Sequence, residues 1–334
     1  MFRKSRMLLA AFGLTAALAA GGSSPAAAQE KLTMALPGVP QIFTVIIANV
    51  AEKQGLFKKY GVNVELRPFD NGTAAARAVV AGDIDLAWSP TPPVINQVSN
   101  AGVPLMAVYG MPNPDWVLVT TESGKTCQDM KGQAVGVDSI GGARSVALRS
   151  MLVGCPGLKI EDVQQVALGS NVSAAMVAGR LHYGALHLDD LSVIETQGKK
   201  ASILLEMTKT NPTSHYLLLV VRKDKLAAKR DAVVRAVAGL VDAAKFVQDP
   251  KNADAVAEAA KVTGHSPDIS KLALKKFLAM DFWATKDDGL PQKKIEAVAA
   301  LMKKIGAIKE DKQPVKYTEL VDQSVWKDAN AMLK

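Results

Sequence analysis

Only two cysteines, Cys127 and Cys155, occur in 334 residues, and aromatic residues make up just 5% of the chain. Two thiols at this separation, with no histidine pair nearby, lack the spacing of a zinc site. So few aromatic rings argue against a broad carbohydrate-stacking surface. The four histidines, His182, His187, His215 and His265, show no metal-ligand spacing. No G-x-S-x-G motif occurs, no Ser–His–Asp order stands out, and the G-x-x-x-x-G-K-[ST] phosphate loop is missing. Neither a metal, a cofactor nor a catalytic residue is therefore expected. The basic residues are scattered, often beside acids as in KKIGAIKEDK, and no basic block is interleaved with aromatics. A nucleic-acid surface is a poor reading of that pattern.

Long apolar runs are also missing. The longest, Met7–Ala20, has fourteen residues, too few to span a bilayer. Arg3, Lys4 and Arg6 precede it and the small residues Ala26-Ala27-Ala28 close the segment. That order of charge, apolar run and small residues fits a cleaved secretory signal over residues 1–28, with a membrane anchor as the weaker alternative. No cysteine follows the run to carry a lipid. Processing before Gln29 leaves 306 residues and lowers the net charge from +8 to +5. A chain of that length buries a sizeable core and usually divides into two domains. Export implies an oxidising compartment, the periplasm, where Cys127 and Cys155 are expected to pair; two free buried thiols are the alternative.

What the chain does contain is a repeated unit. NGTAAARAVVAGDIDLAWSPT (Asn71–Thr91) and GSNVSAAMVAGRLHYGALHLDD (Gly169–Asp190) align with Gly82 on Gly179. Each reads as a capped Ala-rich helix, with Thr73 capping the first, then a glycine exit, a short apolar strand and a polar loop. Around them strands alternate with helices, which predicts βαβ units and mainly parallel sheets. Strands are predicted near 31–36, 62–66, 84–88 and 104–110, then near 133–137, 163–168, 183–187 and 203–206. Two further β-rich runs, Asp115–Thr121 and His215–Val221, read as an antiparallel pair crossing between lobes. Lobe 1 then comprises 29–121 with 215–334, and lobe 2 comprises 122–214. After Lys225 the pattern is helical, covering lobe 1.

In open α/β sheets, ligands bind beyond the carboxyl ends of the strands. Those loops hold Gln41, Asn71, Thr73, Ser89 and Thr91 in lobe 1 and Ser139, Gly141, Gly142, Arg144, Ser170 and Asn171 in lobe 2. Each also opens a helix, whose free N–H groups suit polar acceptors. The Asp138–Arg144 loop is the sharpest candidate: two glycines admit close approach, and Arg144 offers a bidentate guanidinium to a carboxylate or sulfonate. The alternative is a capped turn with Arg144 in solvent. His187 and Asp189, at the end of a strand, could accept from a ligand N–H or O–H, or serve only as a cap. Asn113 and His215 fall at the crossovers, near the cleft floor.

The stretches AEKQGLFKKYGVNVEL, AARAVVAGDIDLAW and NAGVPLMAVYG, followed by KGQAVGVDSIGG and VSAAMVAGRLHYGALH, resemble periplasmic solute-binding proteins of ABC transporters. The nitrate/sulfonate/taurine and NMT1/THI5-like group is the nearest match. The resemblance implies an α/β fold of the two-lobed type II periplasmic binding protein kind, with two crossing strands between the lobes. It implies a monomer that delivers a small solute (sulfonate, carboxylate or heterocycle) to an inner-membrane permease. By loop, family pocket positions fall on Gln41, Asn71, Ser89, Ser139, Gly141 and Asn171. The sequence departs from the family at His187-Leu188-Asp189-Asp190, which weighs against small oxoanions. A sensor subunit, or an enzyme like the pyrimidine-synthesising relatives, would share the scaffold.

Overall fold

A computed structural model describes residues 30–333. The expected signal segment and the start at Gln29 lie outside the described residues. The strands are β1 (Glu30–Pro37), β2 (Val62–Phe69), β3 (Leu86–Pro90), β4 (Leu105–Met111), β5 (Val117–Thr120), β6 (Ala134–Val137), β7 (Gln164–Ala167), β8 (Tyr183–Leu186), β9 (Ser202–Glu206) and β10 (Leu217–Arg222). They form two five-stranded sheets, ordered β2-β1-β3-β10-β4 and β7-β6-β8-β5-β9. In the first, β1 pairs parallel with β2 and β3, while β10 runs antiparallel to β3 and β4. In the second, β6 pairs parallel with β7 and β8, while β5 runs antiparallel to β8 and β9. The two lobes of like design that the repeat predicts are present.

The crossing differs from expectation. β5 and β10 do not pair with each other; each is the antiparallel strand of its own sheet. Both are almost wholly buried, and their ladders are filled by neighbours on either side, which leaves no edge for mutual pairing. Lobe 2 therefore begins with β5, not at residue 122. The chain crosses instead through residues 112–116 and 211–216, which lie outside both sheets.

The repeated helices are Gly72–Ala81 and Val172–Val177. Both exits use a glycine in the left-handed region, Gly82 at φ 89° and Gly179 at φ 70°, where a side chain would be strained. The first helix is capped by Asn71, not Thr73: Asn71 is extended and its Oδ1 accepts from the Ala74 N–H at 2.9 Å. In lobe 2, a Cβ on Gly136 or Gly184 would stand 2.5 or 2.9 Å from Val172. Those two strand glycines let the helix lie directly on the sheet.

Leu32, Met34 and Leu36 are fully buried in lobe 1, as is Trp88, which meets Tyr109 edge-on at 5.8 Å. The long Arg230–Gln248 helix packs on the first lobe through an almost continuous buried face. The next long helix, Pro267–Ala279, does not stay on lobe 1. It packs against the Leu188–Thr196 helix of lobe 2, with Lys276 Nζ 2.8 Å from Glu195 Oε2. One apolar cluster runs unbroken from lobe 1 through Trp116 and Tyr216 into lobe 2. Among the described residues no helix is long and apolar enough to cross a membrane.

Cys127 and Cys155 are bonded, with Cα atoms 6.1 Å apart and a separation of 28 in sequence. The bridge staples the segment before β6 to the end of the following helix, Ala143–Met151. Closing a loop of this size stabilises by about 3–4 kcal/mol in the chain-entropy model. Reduction is expected to lower the thermal midpoint measurably; an unchanged melting curve under reductant would show that the bridge contributes nothing.

Candidate functional site

The polar residues of the junction are set by helix starts. In lobe 2, three helices begin at the carboxyl ends of β6, β7 and β8: Ala143–Met151, Val172–Val177 and Leu188–Thr196. One carboxylate ties all three together. Asp190 Oδ2 accepts from Arg144 Nη1 at 2.7 Å and from the His187 N–H at 3.1 Å, while Oδ1 accepts from Ser173 Oγ at 3.3 Å. Arg144 also donates to the Ala185 carbonyl at 3.0 Å and is only 9% exposed. Burial opposes both charges, but their mutual attraction holds the Asp190 carboxyl below, and the Arg144 guanidinium above, the ordinary value. Arg144 is thus not in solvent, and its Nη1 is committed to Asp190 and the Ala185 carbonyl. Its second helical position turns it inward, where Asp190 neutralises it.

Beside this knot the first crossing lays Trp116 against His187, ring centroids 3.6 Å apart, with the Arg144 guanidinium 5.9 Å from the indole centre. His187 Nδ1 donates to Asp115 Oδ2 at 2.9 Å. Burial works against a charge on this imidazole, yet the Asp115 carboxylate outweighs it and raises the pKa. The other oxygen of Asp115 has no hydrogen-bond partner, and the residue is 1% exposed. From the second crossing Tyr216 faces His187 at 6.5 Å and Phe282 at 6.2 Å. Burial, and then the nearby Asp115 charge, push the phenol well above its usual value. Phe282 continues into Phe277, Trp283 and Phe43 of lobe 1. The lobes therefore meet through a chain of rings.

A third pair closes the junction from the helical return. His265, just before the Pro267–Ala279 helix, donates from Nε2 to Asp189 Oδ2 at 3.0 Å. Burial disfavours its charge, but the Asp189 hydrogen bond and carboxylate, with Asp190 behind, raise its pKa.

The remaining predicted residues take no part in these hydrogen bonds. Thr91 and His215 are buried together: His215 Nε2 donates to the Gly289 carbonyl at 2.8 Å, so Nδ1 accepts from Thr91 Oγ1 at 2.6 Å. Burial pushes this imidazole down to about 4; it is a neutral bracket within lobe 1. Asn113 accepts from Lys294 Nζ at 2.8 Å, Gln41 accepts from Asn49 Nδ2 at 2.7 Å, and Ser89 is fully buried. Asn71, Ser139, Gly141, Ser170 and Asn171 are exposed, whereas Thr73 and Gly142 are half-buried. The structure thus brings Arg144, His187 and Asp189 into one cluster and Thr91 and His215 into another. Sequence reasoning passed over Asp115, Tyr216 and His265. In extended chain, successive side chains point to opposite sides. The crossing 211–216 turns His215 into lobe 1 and so presents Tyr216 to lobe 2.

A cavity of ≈ 260 Å³ opens against Trp116, between lobe 2 and the Pro267–Ala279 helix. Its walls come from the first crossing (Pro114, Asp115, Trp116), the lobe 2 helix (Leu188, Leu191), β9 (Ile203, Glu206) and the Pro267–Ala279 helix (Lys276, Ala279).

Two mixed α/β sheets joined by two crossings define a two-lobed periplasmic binding protein fold. The NMT1/THI5-like family model matches residues 43–253, more than half of the sequence, and the chain belongs to that family. It is 26% identical over 292 residues to a Haemophilus influenzae protein named for thiamine biosynthesis, covering 85% of this chain and 90% of that one. Its fold is similar to that of the Escherichia coli periplasmic aliphatic sulphonate binding protein (TM-score 0.67, 19% identity, 89% of this chain and 99% of that one). It is equally similar to that of the ligand-binding component of an ABC-type import system from Staphylococcus aureus (TM-score 0.67, 16% identity, 90% and 99%).

Two outcomes are expected. Arg144→Ala leaves the buried Asp190 charge without its partner and costs about 3–5 kcal/mol in denaturant unfolding; a loss under about 1 kcal/mol would show that the pair is dispensable. His265 has a raised pKa, so its pairing with Asp189 stabilises fully below about pH 6.5 and fades as pH climbs through the folded value. The gap in melting temperature between wild type and Asp189→Asn should be widest near pH 6 and close in alkaline buffer.

Proposed function

We propose that this chain is the exported solute-binding component of an ABC importer, which holds a small organic solute between its lobes and presents it to an inner-membrane permease. The observation that carries this reading is the cavity against Trp116. Its walls belong to lobe 2, to the first crossing and to the Pro267–Ala279 helix of the helical return, so an occupant gains all of its contacts only when that helix lies against lobe 2. That difference in affinity between open and closed forms is what drives closure on a ligand. The fold shared with ligand-binding components of importers supports the same reading, as does the secretory pattern of residues 1–28. Residues 114–117, Leu188, Leu191 and Met280 supply the walls; Trp116 supplies a ring face for a planar or apolar solute body.

The committed Arg144 weakens the case for a sulfonate or carboxylate held by that guanidinium. The Haemophilus relative's name brings heterocycles of thiamine chemistry into consideration.

The test is a thermal-shift screen of the processed protein against alkyl sulfonates, carboxylates and nitrogen heterocycles, with native mass spectrometry for solute carried through purification. Ligand at one hundred times its Kd stabilises by about 2.7 kcal/mol, so a true ligand raises the melting temperature clearly. Ala279→Trp, which fills the mouth of the cavity, should abolish the shift without unfolding the protein. A screen with no shift and no co-purified solute, or a shift that survives Ala279→Trp, would overturn the assignment.

A further inference from the structure

We infer that lobe 1 carries a docking face for an anionic phospholipid surface, formed by the Gln292–Lys304 helix and the loop that follows it. Its lysines meet the headgroups, and Leu301 and Ile305 enter the layer between them. This goes beyond the solute-binding reading and uses none of the cavity residues.

The distribution of charge is the first observation. The chain from Gln29 onward carries +5, and the stretch 293–316 holds seven lysines against Glu296, Glu310 and Asp311, a net of +4. The far longer remainder is within one charge of neutral, so attraction to an anionic surface is concentrated here. The second is which of these lysines are free. Lys303 gives its ammonium donors to the carbonyls of Lys309, Glu310 and Lys312 at 2.8, 2.9 and 2.8 Å. Lys294 donates to the Pro112 carbonyl and Asn113 Oδ1. The other five, Lys293, Lys304, Lys309, Lys312 and Lys316, are exposed. Among the described residues none of the five lies within ion-pair distance of an acid.

The third observation is that the face is built and apolar in part. Lys303 draws the loop onto the last turn of the helix. Asn96 and Asn100 both donate to the Ala307 carbonyl at 2.9 Å, and Asn100 Oδ1 accepts the Lys309 N–H at 2.9 Å. A loop already held in place has little order to gain on binding. Ile295, Val298, Ala299 and Met302 bury one side of the helix in the lobe 1 core. Leu301 and Ile305, one turn apart, stay 48% and 67% exposed beside Lys304. Lysines around an exposed apolar pair are the composition of an interfacial helix, in which charge draws the protein down and apolar side chains enter the lipid. Lys294 ties the other end of the helix to the first crossing, about three helical turns from Lys304.

The experiment is co-sedimentation of the processed protein with phosphatidylcholine vesicles, with and without phosphatidylglycerol, at low and at high salt. Wild type should pellet with the anionic vesicles at low salt, stay in solution with the neutral ones, and be released as salt screens the lysines. Lys304→Glu combined with Lys309→Glu and Lys312→Glu should lower the partition coefficient by about tenfold or more. Leu301→Ser combined with Ile305→Ser should lower it by about fivefold or more. All five positions are exposed, so the melting curves of both variants should match wild type; if the glutamates destabilise the loop, the serine variant and the lipid comparison decide. Absence of wild-type pelleting with anionic vesicles, or equal pelleting with neutral ones, would overturn the inference. So would a serine variant that partitions like wild type, which would point to an acidic protein surface as the partner instead. Solute binding is read separately by thermal shift, so either reading can fail without the other.

Discussion

Lobe 2 is organised by a buried carboxylate. Asp190 receives the Arg144 guanidinium, the His187 backbone N–H and the Ser173 hydroxyl, so one side chain fixes the starts of three helices. Those starts carry the unpaired N–H groups and the positive ends of the helix dipoles. An acid set among them is stabilised by all three, and removal of its counter-charge would leave a desolvated anion behind. The loops at the carboxyl ends of β6, β7 and β8 therefore hold a fixed relation to one another. Everything that lobe 2 presents to the junction depends on that relation, including the ring of His187 and the placement of Asp189.

The junction is itself built from opposed pairs. Asp115 with His187, Asp190 with Arg144 and Asp189 with His265 each set an acid against a base within 3.0 Å. Aromatic rings fill the space between them, from Trp116 on His187 to Tyr216, Phe282 and the lobe 1 core. Each well-placed ring pair adds about 0.5–1.5 kcal/mol beyond its buried area. The rings hold the lobes together; the pairs decide their register. His265 and Lys276 come from the helical return and reach lobe 2 independently of the two crossings, so the lobes are joined at three places.

Much of this architecture could be read from residue order. Gly82 and Gly179 marked helix exits because left-handed backbone is open to glycine at little cost, and both occupy it. Leu32, Met34 and Leu36 marked a strand by alternation, and all are buried. The site was less legible. Ser139, Asn71, Ser170 and Asn171 carry the residue types of a polar loop, and all four are exposed. Asp115 and Tyr216 carried no motif. Their role depends on which way an extended crossing turns its odd and even residues, and no local pattern sets that in a segment outside the sheets.

From residue order alone came the alternation of strands and helices, the duplication of the lobes and the family likeness. All of these depend on periodicity, turn chemistry or short-range geometry, which neighbouring residues determine between themselves. Tertiary structure alone decided that β5 and β10 serve separate sheets, that Arg144 turns inward to Asp190, and that the Pro267–Ala279 helix leaves lobe 1 to meet lobe 2. Those outcomes require residues distant in sequence to compete for one partner, and the winner is set by burial and charge in the assembled fold.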